Sequence, residues 1–129
     1  MRRASARNDR GAFTLSYVII VPVFMLSLML IVQASVWYLA KEAALAAARQ
    51  GANVARVRGA PAGAGVTAAM QFARSAASGY LISPAASSTG SNGRTITITV
   101  TGNVPVIFPG FRLPVKQSAQ APVESFTIP

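Results

Sequence analysis

Residues 12–40, AFTLSYVIIVPVFMLSLMLIVQASVWYLA, decide the fold of this chain. These 29 residues contain no charged side chain. As an α-helix rising roughly 1.5 Å per residue, the segment would be about 43 Å long, and a bilayer core about 30 Å thick needs only about 20 apolar residues. The remaining sequence is too rich in Ala, Gly, Ser and Thr to enclose such a helix. The segment therefore predicts a membrane-spanning helix, which Pro22 should kink rather than end.

Basic residues flank the apolar segment on both sides. Residues 1–11, MRRASARNDRG, have no apolar period and carry four closely spaced arginines: Arg2, Arg3, Arg7 and Arg10. Four basic residues follow the segment at wider spacing: Lys41, Arg49, Arg56 and Arg58. Positive charge is retained on the cytoplasmic side of a membrane helix. We therefore expect residues 1–11 to be a basic cytoplasmic leader, with the C-terminal region outside the cytoplasm.

The composition argues against catalysis. The chain has no Cys and no His, and its acids are Asp9, Glu42 and Glu124. Most acid–base, nucleophile-activating and metal-ligand chemistry needs those residue types. We expect a non-enzymatic protein with no catalytic, metal or cofactor-binding residues. The net charge of +9 is not gathered around an aromatic platform, so attraction to anionic lipids is a better account than nucleic-acid binding. A small basic nucleic-acid-binding protein is the weaker alternative.

A stripe of small residues follows the apolar segment. Its spacing of four, three, four and four keeps it on one helical face: Ala40, Ala44, Ala47, Gly51 and Ala55. Polar residues lie near the opposite face: Glu42, Arg49, Asn53 and Arg56. The helix is therefore predicted to continue to residue 58 as an amphipathic stalk, whose small-residue stripe lets a neighbouring helix approach closely. The alternative is that the alanines record only helix propensity. Trp37 and Tyr38 match an interfacial aromatic belt.

The region 59–129 has a different pattern. The helix should break at residues 59–65, GAPAGAG. A second short helix is predicted at residues 66–78, with Gly79 as its C-cap. A polar loop is predicted at residues 83–94. Residues 95–100, TITITV, alternate as a half-buried strand does. Residues 104–108 and 115–126 are further strand candidates, with a turn at Pro109-Gly110. The predicted fold is α+β: leader 1–11, transmembrane and stalk helix 12–58, and an extracytoplasmic region 59–129 containing a helix at about 66–78 and a small antiparallel sheet at about 95–126.

The order of these parts resembles the type IV pilin-like architecture, and more narrowly the TadE/TadG-like proteins of tight-adherence pilus systems in actinobacterial style. The resemblance rests on Arg10-Gly11, on the run 12–21 with Pro22 after it, and on AALAAARQG at residues 43–51. TITITVTGNVPVIFPGF at residues 95–111 and Pro122-Val123-Glu124 fit it as well. It implies a membrane-anchored, non-enzymatic minor pilin-like subunit or assembly factor of a tight-adherence (Flp-type) pilus or related secretion apparatus.

The resemblance also implies roles for individual residues. In such proteins a prepilin peptidase cuts after the small residue of the leader, which is Gly11 here, so that the mature chain begins at Ala12. The fifth mature residue is usually glutamate, whose carboxylate can neutralise the new N-terminal ammonium of a neighbour. Ser16 stands at that glutamate-equivalent position, and a hydroxyl cannot supply the charge. Both a processed filament subunit and an unprocessed membrane-held assembly factor therefore stay open.

Partners and localisation follow from the same reading. We expect a single-pass protein of the cytoplasmic membrane, contacting lipid and other pilin-like or pilus-assembly subunits through its helices as a homo- or hetero-oligomer. Such a protein could also be incorporated into a surface pilus. The alternative from another class is a secreted binding module, because Val32-Gln33-Ala34 satisfies the small-residue rule for signal peptidase cleavage after Ala34.

Overall fold

The computed structural model describes residues 9–61 and 63–125. Within these residues the chain forms two helices and three strands, in the order α1 (Asp9–Ala55), α2 (Ala64–Ala76), β1 (Ile82–Ser87), β2 (Thr95–Val104) and β3 (Leu113–Pro122). The chain divides into two compact units, Met1–Ala34 and Ser35–Pro129. The predicted α+β class, with a long apolar helix, a short helix and a small antiparallel sheet, is confirmed.

Helix α1 continues through its internal proline. Pro22 has no N–H to donate to the carbonyl four residues earlier, yet the helix extends over 47 residues. Near it the Ser27 hydroxyl donates to the Val23 carbonyl oxygen at 2.8 Å, so this polar group is satisfied by the helix itself. The predicted bounds of 12–58 are corrected to 9–55, because residues 9–11 already belong to α1. Residues 1–8 of the predicted leader lie outside the described residues.

Helix α2 begins and ends two residues earlier than predicted. It follows Gly63, whose φ of 80° is left-handed, and its C-cap is Ala77, whose N–H donates to the Ala73 carbonyl oxygen. The prediction that Gly79 would be the C-cap is therefore wrong. Gly79 has a φ of +87° and lies in the turn that leads from the helix towards β1.

The three strands form an antiparallel sheet in the order β1-β2-β3. Strand β2 pairs with β3 from Thr95↔Pro122 to Val104↔Leu113. From Ile98 onwards its side chains alternate as predicted: Ile98 and Val100 are fully buried, and the Thr99 hydroxyl lies on the other face, 2.9 Å from the hydroxyl of Ser118. Thr97, predicted on the polar face, is also buried, and Ser91 bonds to its backbone.

Two strand predictions are corrected. Residues 83–94 were expected to be a loop, but β1 occupies residues 82–87. It has no apolar period, and its extended form comes from backbone pairing with β2, with a register shift between Ile82 and Ala85. The predicted strand at 104–108 is instead the end of β2 followed by a loop, because Pro105 and Pro109 cannot donate to a ladder. Residue 126, the predicted end of the β-rich region, lies outside the described residues.

The core lies in the Ser35–Pro129 unit and is built mainly of alanine. Its largest fully buried side chains are Ile98 and Val100. Helices α1 and α2 contribute only alanines among the buried apolar residues: Ala40, Ala44, Ala47, Ala48, Ala52, Ala69 and Ala73. Small side chains let backbones approach closely, and Ile98, Val100 and Val104 of β2 belong to the same buried cluster as these alanines.

Candidate functional site

The N-terminal part of α1 presents apolar side chains on every face. Phe13, Leu15 and Ile31 are each more than 60% exposed, and the most apolar 18-residue window has a mean hydropathy of 2.6 with none of it buried. A core helix of a water-soluble domain would bury this surface. In the described part of the chain, one helix is long and apolar enough to cross a membrane, judged by length and composition. We call residues 13–34 the apolar span.

Aromatic and basic side chains follow the apolar span. Trp37 and Tyr38 are exposed on α1, and the Lys41 ammonium lies 4.6 Å from the centroid of the Trp37 ring. This is a cation–π contact across one helical turn. An aromatic ring beside a cation on a flexible stem suits the boundary between acyl chains and headgroups.

The residues of the predicted peptidase site lie near the beginning of α1. Gly11 and Ser16 are exposed. The peptide bond between residues 11 and 12, which the prepilin peptidase is predicted to cleave, lies inside α1. A Cβ added at Gly11 would meet no atom within 4 Å. Nothing in the described structure therefore requires glycine at this position, so a requirement for a small residue there would come from a protein that acts on the chain.

The small-residue stripe lies inside the chain's own fold. Ala40, Ala44 and Ala47 are fully buried, Gly51 is buried and Ala55 is partly buried. The polar residues of the opposite face, Glu42, Arg49 and Asn53, are exposed. The spacing thus identified the packing face, but the neighbouring helix is α2 of the same chain rather than a helix from another subunit.

Gly51 and Gly65 form the closest approach between α1 and α2. A Cβ at Gly51 would lie 2.5 Å from the Gly65 carbonyl oxygen, 2.9 Å from Ala69 Cβ and 3.1 Å from Ile98 Cγ2. A Cβ at Gly65 would lie 2.6 Å from both Ala55 Cβ and the Gly51 carbonyl oxygen. Both positions require the absence of a side chain.

Sequence reasoning missed two features of this unit. Gly65 was assigned only to the break between helices, although it packs against Gly51. Residues 105–108 of the loop between β2 and β3 were predicted as strand, although the loop exposes Ile107, Phe108 and Phe111; the predicted turn at Pro109-Gly110 is confirmed. The signal for the loop was the run PVIFPGF, whose prolines exclude regular pairing while its large apolar residues remain. Across residues 9–61 and 63–125, no three His, Cys, Asp or Glu side chains come together as metal ligands.

The described residues thus combine one exposed apolar helix with a small α+β unit. The family model described as TadE-like protein matches residues 11–53, one third of the chain. The match begins at the predicted cleavage position and covers the apolar span and most of the small-residue stripe. The resemblance to TadE-like proteins is thereby confirmed as a similarity over residues 11–53. Neither a curated protein nor a solved structure is significantly similar to it.

Proposed function

We propose that this chain is a non-enzymatic, single-span membrane component of a tight-adherence (Flp-type) pilus or a related secretion apparatus. The observation that carries the proposal is the coincidence of the TadE-like match at residues 11–53 with the exposed apolar span. The span anchors the chain in the cytoplasmic membrane with its N-terminus inside. The Ser35–Pro129 unit is then presented outside the cytoplasm.

The surface available to helical partners is the apolar span. Because the small-residue stripe is buried within the chain, we assign the proposed association with other pilin-like or pilus-assembly subunits to residues 13–34. Without a hydrophobic driving force in lipid, such association depends on van der Waals packing and interhelical hydrogen bonds. Ser16 lies on this surface. The hydroxyl at this position favours a membrane-held assembly factor, whereas incorporation into the filament needs another way to neutralise a mature N-terminus.

Fractionation with N-terminal sequencing tests the function. We expect the chain in the cytoplasmic membrane or in filaments sheared from the cell surface, beginning at Ala12 if a prepilin peptidase processes it and at Met1 if it does not. Filament-bound chains beginning at Ala12 identify a pilus subunit. Chains confined to the membrane of a cell that assembles pili identify an assembly factor. Absence from both fractions contradicts the proposal.

A secreted module is the second candidate. The observation in its favour is that the second compact unit begins at Ser35, directly after the predicted signal peptidase site. Against it, α1 continues through Ala34 without a break. Recovery from the external medium of a chain that begins at Ser35 would establish this candidate and exclude the membrane anchor.

A reporter fusion tests the orientation. An alkaline phosphatase domain, which is active only outside the cytoplasm, is expected to be active when fused after Pro129, because the arginine-rich leader keeps the N-terminus inside. A fluorescent protein that matures only in the cytoplasm is the matched control and should stay dark at the same position. The reverse pair of results would place the Ser35–Pro129 unit in the cytoplasm.

A further inference from the structure

The loop between β2 and β3 exposes an unusual amount of apolar surface. It comprises residues 105–112, PVIFPGFR, and is called the β2–β3 loop below. Phe111 is 71% exposed, Ile107 46% and Phe108 39%. Phe111 is thus more exposed than Phe13 of the apolar span, at 67%. Apolar residues clustered at the surface of a small domain mark a contact site.

The position of this loop follows from contacts within the Ser35–Pro129 unit. At one end, the Glu124 N–H donates to the Arg56 carbonyl oxygen at 3.2 Å, and Thr95 pairs with Pro122 beside it. Farther along, Ile98 faces Gly51. Strand β2 therefore runs antiparallel to α1. From Ile98 to Val104 it advances about 20 Å at roughly 3.3 Å per residue, which matches about 13 residues of α1 at roughly 1.5 Å each.

Counting back 13 residues from Gly51 places Val104, where β2 ends and the β2–β3 loop begins, level with Tyr38. Helix α2 supports this placement. Ala69 also faces Gly51, and α2 runs antiparallel to α1 because Gly65 meets Ala55. The end of α2 leads to Leu81, which lies against Gly102 near the end of β2. The loop therefore lies at the end of the Ser35–Pro129 unit where α1 enters it.

The chemistry of the loop suits a lipid interface. It contains no acid, ends in Arg112, and is followed by the exposed Lys116. Anionic headgroups attract such cations while aromatic rings enter the upper acyl region. Pro105 and Pro109 have no N–H, so fewer backbone donors lose their water on insertion. A second copy of the chain would bring its own net charge of +9 to the same surface, which disfavours that occupant.

We propose that the β2–β3 loop is a second membrane contact, in which Ile107, Phe108 and Phe111 enter the boundary between headgroups and acyl chains and Arg112 binds lipid phosphate. The contact forms on the membrane face where the apolar span ends. It rests on the proposed anchorage, and with α1 it attaches the Ser35–Pro129 unit to the bilayer at two points.

Tryptophan fluorescence in vesicles tests this contact. Trp37 is the chain's sole tryptophan, so Phe111→Trp in a Trp37→Phe background reports on the loop alone. The full chain is reconstituted into phosphatidylcholine–phosphatidylglycerol vesicles whose phosphatidylcholine carries bromine near the headgroup end of its acyl chains. Gln120→Trp in the same background is the matched control, because Gln120 is exposed on β3 at the opposite end of the sheet.

The expected result is that Phe111→Trp loses most of its emission to brominated lipid, whereas Gln120→Trp retains nearly all of it. Equal, weak quenching of both variants would overturn the inference. Protection of Phe111→Trp from aqueous iodide without quenching by lipid would also overturn it, because a protein surface would then cover the loop. The unsubstituted chain separates the two proposals. Quenching of Trp37 emission by the brominated lipid supports the membrane anchorage. If Trp37 emission is not quenched, both the anchorage and the loop contact are contradicted.

Discussion

Gly51→Leu is expected to unfold the Ser35–Pro129 unit. Even a Cβ at this position would lie 2.5 Å from the Gly65 carbonyl oxygen, and backbone cannot move aside as a flexible side chain can. The cost should exceed the about 1–3 kcal/mol of ordinary core overpacking. It outweighs the gain of about 1 kcal/mol in helix propensity on replacing glycine. Hydrogen exchange of β2 amides in the full chain in detergent micelles measures the effect.

Asn53→Leu is the matched control for this substitution. Asn53 lies two residues further along α1 and is exposed, so the same leucine has room and β2 should stay protected. Slow exchange of β2 in both variants would show that α1 and α2 do not touch at Gly51. If the stripe instead packed against a helix from another subunit, Gly51→Leu would lower crosslinking between chains while the β2 amides stayed protected from exchange.

Ile98→Ala is expected to destabilise the same unit by about 2–5 kcal/mol, the usual range for truncating a buried isoleucine. Ile98 is 1% exposed, and the helices facing it contribute mostly alanine. Alanines cannot extend into the space that the lost atoms leave. The measurement is the denaturant concentration at which β2 amides lose protection, with an expected shift towards lower denaturant.

Ile82→Ala provides the matched control, since it removes the same atoms from a strand residue that is 49% exposed. Its midpoint should move far less than that of Ile98→Ala. Equal shifts would mean that Ile98 is not a central core residue.

The features predicted correctly from the sequence were those encoded within a short stretch. The charge-free run 12–40 predicts a long apolar helix because its length alone exceeds the thickness of a bilayer. TITITV predicts β2 because strict alternation gives a strand one buried face. The stripe from Ala40 to Ala55 was recognisable as a packing face because its spacing follows the helical repeat.

The features that were missed depend on distant parts of the chain. Spacing shows which residues share a face but not what covers it, so α2 was not recognised as the partner of the stripe. Strand β1, ISPAAS, has no period of its own and is defined by pairing with β2. The apolar content of residues 105–108 suggested a strand, whereas Pro105 and Pro109 make this segment part of a loop that ends in the predicted turn at Pro109-Gly110. The roles of Gly11 and Ser16 depend on a peptidase and a neighbouring subunit.

The order in which the chain is synthesised gives the alanine core a further consequence. Gly51 meets Ile98 only after 47 further residues have been made, and the Glu124 N–H reaches Arg56 later still. Until then only α2, whose Gly65 and Ala69 lie against Gly51, can cover the buried face of α1. Because that face carries methyl groups rather than leucine or phenylalanine, an unfinished chain offers little apolar area to other unfinished chains. The core thus gives up burial energy and gains resistance to aggregation during biosynthesis.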